Sequence, residues 1–182
     1  LGYAYATDQR FAIVAYNFNE QEIEPPTGNK ISDFDGDGKS DIAVFRDTTG
    51  GWYILRSSDS TFAGVQFGTV GDKIAPGDFD GDGKTDQAVF PGATGVWYVQ
   101  MSSQGFAGVQ FGQAGDLPVQ GDYDGDGKTD IAVYRPSTGG WYLLQSTAGF
   151  AGVGFGISSD RPVQGDYDGD GKTDIGVFRP SE

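Results

Sequence analysis

The sequence predicts an all-β fold, a β-propeller of four-stranded blades about 44 residues long. Three observations carry this expectation. A nine-residue string, Asp-aromatic-Asp-Gly-Asp-Gly-Lys-Ser/Thr-Asp, occurs four times in the 182 residues, at 33–41, 78–86, 122–130 and 166–174, with starts 45, 44 and 44 residues apart. Each copy runs into a β-branched and aromatic stretch, and further strand-like runs separated by Gly- and Ser-rich turns fill the period. Ile42 and Val44 point to one face of their strand and Ala43 and Phe45 to the other, so both faces are apolar and each needs a cover. Small antiparallel sheets stacked face to face meet that need, whereas the rungs of a β-helix are far shorter than this repeat.

From the N-terminus, residues 1–32 hold strand-like runs at 2–7 and 11–16, joined around Asp8 and Gln9. An irregular connector follows at 17–30, with Glu20, Glu22, Glu24, Pro25 and Pro26. Repeat 1 spans 33–77, repeat 2 spans 78–121, repeat 3 spans 122–165 and a partial repeat 4 spans 166–182. Within a repeat, the string leads into a first strand (42–45, 88–90, 131–134, 176–178). A Gly-containing gap that reads as a hairpin comes next, then an aromatic strand bearing Trp52-Tyr53, Trp97-Tyr98 or Trp141-Tyr142. A polar turn (57–60, 102–105, 146–149) precedes Phe-Ala-Gly-Val-x-Phe-Gly at 62–68, 106–112 and 150–156. A short extended piece at 73–78, 117–122 or 161–166 closes the unit and delivers the chain to the next string.

Repeat 4 stops before its aromatic strand, while Phe11-Ala12-Ile13-Val14-Ala15-Tyr16 echoes Phe150-Ala151-Gly152-Val153-Gly154-Phe155. The expectation is one propeller domain of four blades, the N-terminal segment completing the last. The alternative is part of a larger propeller, or an open blade completed in trans by a neighbouring chain.

The string has the chemistry of a metal site. Carboxylates at positions 1, 3, 5 and 9 repel unless they converge on a cation, and Ca²⁺ takes roughly six to eight oxygens from carboxylates, backbone carbonyls and water. Mg²⁺ dehydrates reluctantly and wants a near-octahedral shell; zinc's preferred ligands are missing, because the chain has no His and no Cys. Four Ca²⁺ sites are expected. The first is Asp33, Asp35, Asp37 and Asp41 with the carbonyl of Lys39; the second is Asp78, Asp80, Asp82 and Asp86 with Lys84. The third is Asp122, Asp124, Asp126 and Asp130 with Lys128, and the fourth Asp166, Asp168, Asp170 and Asp174 with Lys172. Gly38, Gly83, Gly127 and Gly171 fill position 6, where the turn needs positive φ. EF-hand and dockerin-type loops open similarly but place an acid at position 12, here Val44, Val89, Val133 and Val177, and continue as helix where this chain turns to strand.

The string Gly-Asp-Phe/Tyr-Asp-Gly-Asp-Gly-Lys-Thr-Asp-Ile-Ala-Val-Phe/Tyr-Arg-Pro-Ser, with Phe67-Gly68, Phe111-Gly112 and Phe155-Gly156, resembles the VCBS and FG-GAP repeats, the latter familiar from the integrin α-chain propeller. The resemblance covers roughly residues 29–182. It implies a propeller whose calcium loops link strands at the rim, in a family of extracellular adhesion, matrix and carbohydrate-active proteins. A Gly-Ala-Pro element is missing where Arg135-Pro136-Ser137 and Arg179-Pro180-Ser181 stand, so integrin-like ligand binding does not carry over.

A net charge of −14 and a hydrophobic content of 37%, below the usual range of about 45–50%, describe an acidic chain with a lean core that bound calcium would reinforce. Without a basic patch, nucleic acid is not an expected partner. No segment is long and apolar enough for membrane insertion, and no signal peptide is read at Leu1. Composition excludes His-based triads and thiol nucleophiles, and most of the 26 acidic residues sit in the four strings, so no enzymatic activity is expected. Asp72, Asp116 and Asp160 read as turn residues. Trp52, Trp97 and Trp141 pack between blades on the simpler reading, although with Tyr53, Tyr98 and Tyr142 they have the chemistry to stack on sugars. Arg46, Arg135 and Arg179 end equivalent strands and read as solvated or paired with a loop carboxylate rather than as anion sites. The functional expectation is a calcium-stabilised module, extracellular, cell-surface or periplasmic, that binds protein partners or self-assembles. The alternatives are a lectin-like propeller that binds glycans and an accessory domain of a carbohydrate-active enzyme.

Overall fold

The computed structural model describes residues 32–180; the runs at 2–7 and 11–16 and the connector at 17–30 lie outside the described residues. Within them the chain is all-β, with four antiparallel sheets in succession. The first joins β1 (Ile42–Arg46), β2 (Gly51–Leu55) and β3 (Phe62–Gln66). The second is β4 (Lys73–Ile74), β5 (Gln87–Phe90), β6 (Val96–Met101) and β7 (Gly105–Gln110); the third is β8 (Leu117–Pro118), β9 (Ile131–Arg135), β10 (Gly140–Gln145) and β11 (Gly149–Gly154). The fourth pairs β12 (Arg161–Pro162) with β13 (Val177–Phe178). Each complete sheet is a four-stranded meander of the blade type that the period predicts.

One strand of each unit, β4, β8 and β12, belongs to the next sheet rather than to the repeat that its sequence position suggests. The extended piece at 73–78 does not close the sheet of its own repeat; β4 pairs with β5 of the next, Lys73 opposite Phe90 and Ile74 opposite Val89. The reason lies in the loop. Gly77 and Asp86 exchange backbone hydrogen bonds across its neck, as do Gly165 and Asp174, and Asp130 N–H donates to the Gly121 carbonyl in the third loop. An excursion whose two ends meet leaves its flanking strands as neighbours. Each of these three acidic loops is therefore a connection inside one sheet, between its first and second strands.

The sheets stack through unlike faces. In the second sheet Phe90, Trp97, Val99, Ala75 and Ala88 form a buried cluster, joined by Val133 of the third sheet, and Ile131 and Tyr142 pack on it. The same arrangement recurs one step on, where Ile175 and Val177 pack on the cluster of Val119, Tyr123, Ala132, Tyr134, Trp141 and Leu143. An Ile/Val front thus lies on the aromatic back of the sheet before. This explains why β5 and β9 are apolar on both faces and buried on both, while Ile42 in β1 is exposed.

The tryptophans anchor this packing. Trp52, Trp97 and Trp141 are buried, and their indole N–H groups donate to the carbonyls of Phe67, Phe111 and Phe155 at 2.8, 3.0 and 2.9 Å. A buried indole needs such an acceptor, and it pins the Phe-Gly segment between sheets: Phe67 meets Phe106, and Phe111 meets Phe150, edge to face.

Candidate metal centres

Each loop is first a hydrogen-bonded turn. The position-1 carboxylate accepts from the backbone N–H groups of positions 4 and 6: Asp78 from Gly81 and Gly83 at 2.7 and 2.8 Å, with Asp33, Asp122 and Asp166 repeating the pattern. Aiming both N–H groups at one side chain requires positive φ at both glycines, 77° at Gly81 and 85° at Gly83, which only Gly adopts without strain. Position 6 was legible by analogy with other calcium loops; position 4 was not singled out. The position-9 carboxylate bridges two places. Asp86 accepts from Phe79 N–H in its own loop and from Ser102 N–H in the turn between β6 and β7; Asp41 and Asp130 do likewise with Ser57 and Ser146.

That polar turn is a cap over the loop, a role the sequence reading missed. The hydroxyls of Ser102 and Ser103 donate to Asp82 and Asp80 at 2.6 and 2.7 Å. Ser57 and Ser58 reach Asp37 and Asp35, and Ser146 and Thr147 both reach Asp126. The signal was present, since Ser-Ser or Ser-Thr recurs at the same register of each turn.

Around this frame the carboxylates converge. Asp78, Asp80 and Asp86 bring oxygens within 4.8 Å of one another, as do Asp122, Asp124 and Asp130, and Asp166, Asp168 and Asp174; in the first loop the trio is Asp33, Asp35 and Asp37. Positions 1 and 3 thus take part in every trio. Position 9 joins in three loops and position 5 in the first, and the position-5 carboxylates Asp37, Asp82 and Asp126 also accept from the capping hydroxyls.

The electrostatics call for a cation. Burial pushes Asp86 up to about 6 despite its backbone donors, and the neighbouring Asp80 and Asp78 add repulsion. Burial likewise raises Asp78 and Asp130. Capping hydroxyls act the other way at the exposed rim, with Ser58 lowering Asp35 and Ser146 with Thr147 lowering Asp126. Two buried oxygens, Oδ1 of Asp80 and Oδ1 of Asp124, have no hydrogen-bond partner. Both belong to position-3 carboxylates inside the converging trios, where an oxygen-seeking cation would supply the missing partner. The donor set, all oxygen and anionic, suits a hard divalent ion.

The four loops also form a ladder. Thr85 N–H donates to the Asp33 carbonyl at 2.7 Å, Thr129 to Asp78 at 2.7 Å and Thr173 to Asp122 at 2.6 Å, and the Thr85 hydroxyl accepts from Asp33 N–H at 2.9 Å. Position 8 of each loop therefore grips position 1 of the loop before. The Lys stems at position 7 lie across the preceding loop as well: a Cβ at Gly36, Gly81 or Gly125 would meet Lys84, Lys128 or Lys172 at 3.1, 3.0 or 2.9 Å.

The other singled-out residues find structural duties. Arg135 makes two 2.9 Å hydrogen bonds to the buried Asp116 and lies 4.3 Å over the Tyr142 ring. Arg179 holds Asp160 in the same way. Asp116 and Asp160 are turn residues too, accepting from Gln113 N–H and Ile157 N–H. Arg46 covers Tyr53 at 4.6 Å. Repeat 2 has Pro91 at the Arg position, and Asp72 of repeat 1, the counterpart of Asp116, serves its own turn by accepting from Thr69 N–H. The indoles are buried and out of reach of a sugar, while Tyr53, Tyr98 and Tyr142 are half-buried.

The family model of the FG-GAP-like repeat matches residues 33–89 and 122–177, each match spanning two acidic loops and the strands between. No curated protein and no solved structure matches the chain.

Proposed function

Because the chain belongs to the FG-GAP-like repeat family, we propose that it is a calcium-associated β-propeller module for protein recognition, adhesion or assembly, and not an enzyme. The observation that carries this reading is the fourfold recurrence of converging carboxylates, with an unpartnered buried oxygen in two of the trios. Each loop uses its aspartates at positions 1, 3, 5 and 9 and the carbonyl at position 7 as ligands, and the ion is Ca²⁺, one per loop. Bound calcium neutralises the carboxylates and fixes the loops, and the rigid stack of sheets then presents its surface to a partner.

The finer architecture is part of the same proposal. Residues 1–32 supply the two strands that the fourth sheet lacks, within the chain or from a neighbour, giving four blades over repeats 33–77, 78–121, 122–165 and 166–182. The setting is outside the cytoplasm, where millimolar calcium fills even weak sites. No helix among the described residues is long and apolar enough to cross a membrane. Glycan binding has less support, because the tryptophans best suited to stacking on sugars are buried.

Native mass spectrometry with and without calcium, paired with thermal melting in EDTA, tests the reading. Four bound ions per chain and a markedly lower melting temperature in EDTA are expected. An unchanged melting curve at low ionic strength, with no ion retained, would overturn it.

A further inference from the structure

We infer that the second sheet carries a binding site for a neutral saccharide, built by Gln87, Gln100, Phe106 and Tyr98 on the face that looks to the first sheet. This goes beyond the functional reading, adding a ligand to the adhesion module, and it uses none of the buried tryptophans. The repeats supply the control. In each complete sheet three residues stand directly opposite one another across neighbouring strands. In the first sheet the row is Ile42, Leu55 and Phe62, and in the third Ile131, Leu144 and Phe150. In the second it is Gln87, Gln100 and Phe106.

Two amides thus stand, half-buried, where the other repeats have aliphatic side chains. Opposed residues share a face with Cβ atoms about 5 Å apart, yet neither amide has a hydrogen-bond partner among the described residues, and neither is sealed from water. The side-chain amides of Gln66, Gln110, Gln120 and Gln164 are instead spent on backbone carbonyls. A third change lies on the same face. Repeat 2 lacks the strand-end arginine, which in repeat 1 donates to the Tyr53 hydroxyl at 3.2 Å and in repeat 3 lies over the Tyr142 ring. The Tyr98 hydroxyl is thereby left without a partner among the described residues.

Beside these groups stands a ring that is held in place and open. Phe106 lies near-parallel to Tyr98 at 6.1 Å and meets Phe67 of the first sheet edge to face at 6.3 Å, and it is still 62% exposed. The second sheet sits between the first and the third, so this exposure does not depend on where the chain begins or stops. The chemistry selects the ligand. A Gln amide offers two donors and an acceptor, which match the hydroxyls of a sugar, while an exposed ring takes the sugar's C–H face. All three changes add neutral hydrogen-bonding capacity. None adds a charge, one removes a cation, and Gln87 directly follows the loop carboxylate Asp86, so an anionic sugar is disfavoured. An apolar peptide side chain would find a better fit on the Ile/Leu rows of the other two sheets.

Affinity electrophoresis in calcium-containing native gels tests this, with a β-glucan, a mannan, a xylan or a galactan in the gel and hyaluronan as the anionic comparison. At least one neutral polymer should retard the parent chain, and hyaluronan should not. With oligosaccharides of the retarding polymer, the side-chain amide signals of Gln87 and Gln100 should shift in heteronuclear NMR spectra. Gln87→Ile and Gln100→Leu install the residues that the first and third sheets carry at these positions, so both should melt no lower than the parent. Each should nevertheless raise the Kd about tenfold or more. Phe106→Ala, at an exposed position, should do the same with little change in melting. A parent that no neutral polymer retards would sink the proposal. Undiminished affinity in Gln100→Leu would do so too, as would capture of phage-displayed peptides, lost in Gln100→Leu, in place of any saccharide. Each failure would leave calcium-dependent melting, and with it the functional reading, intact.

Discussion

Asp86 shows at a single residue why these loops need an ion. Its carboxylate is buried, pressed by Asp80 and Asp78, and titrates near 6 where the ordinary value is 3.8. Because the folded value lies above the unfolded one, the calcium-free folded state holds more protons than the unfolded chain between about pH 4 and 6. This residue's contribution to stability therefore falls as pH rises through that window. A cation reverses the preference, since it binds the ionised form. Carboxyl-carbon NMR should place the Asp86 midpoint near 6 without calcium and well below 4 with it. Calcium affinity at this loop should weaken by up to about tenfold per pH unit below 6, one proton competing for the site. A midpoint at the ordinary value in the calcium-free protein would remove the burial argument. Arg135 makes a second case. It is the ion-pair partner of the buried Asp116, so Arg135→Ala strands a carboxylate away from water. The expected cost is about 3 kcal/mol, the low end for a buried pair because Arg135 is itself partly exposed. Arg46→Ala, which removes an exposed cation–π contact and a 3.2 Å hydrogen bond to the Tyr53 hydroxyl but strands no buried charge, should cost about 1 kcal/mol or less. Equal losses in urea denaturation would contradict this assignment.

At the scale of the element, the loops differ in what surrounds them. The first three are capped by a Ser-rich turn of their own sheet, 16 to 24 residues downstream. The fourth has no such turn among the described residues, and Asp166 and Asp168 are exposed. A loop left exposed and uncapped would be less preorganised and would hold an ion more weakly. Calorimetric titration should thus resolve three tighter sites and one at least about tenfold weaker, and Asp174→Asn should abolish the weak phase alone. Loss of a tight phase instead would show that the cap does not set affinity. The loops and strands were legible because their chemistry is local: aspartates at fixed spacing, and a Trp-Tyr pair or Ile-Ala-Val run bounded by turns. What escaped the reading is non-local. The Ser102 hydroxyl meets Asp82 from 20 residues away, and the strand opening at Lys73 pairs forward rather than back. Neither is written in spacing or hydropathy, because both follow from the closed neck of a loop that folds only in three dimensions.

In the whole molecule the ladder and the stacked faces join the sheets into one stack. Most of the ladder is backbone, Thr85 to Asp33, Thr129 to Asp78 and Thr173 to Asp122, so its geometry depends on the loops holding their shape rather than on particular side chains. That is where calcium, bound as proposed, would act on the molecule as a whole. At a hundredfold excess over Kd each ion contributes about 2.7 kcal/mol, and four such sites match the net stability of an ordinary domain, about 5–15 kcal/mol. Ions so bound would also decide whether the units unfold together. In a repeat protein, cooperativity comes from the interfaces between neighbours, and here each interface includes a rung anchored in the position-1 residue of a calcium loop. Removing calcium loosens two successive loops at each rung and weakens the interface more than the sheet, whose strands keep their own ladders. The chain should then cease to melt as one unit. In calcium, scanning calorimetry should give a single transition with equal van't Hoff and calorimetric enthalpies. In EDTA, the transition should move down and broaden, its van't Hoff enthalpy falling below the calorimetric one as the sheets uncouple. A lower but still two-state transition would mean that calcium stabilises the sheets without coupling them, and that the buried contacts between Ile/Val fronts and aromatic backs alone hold the stack together.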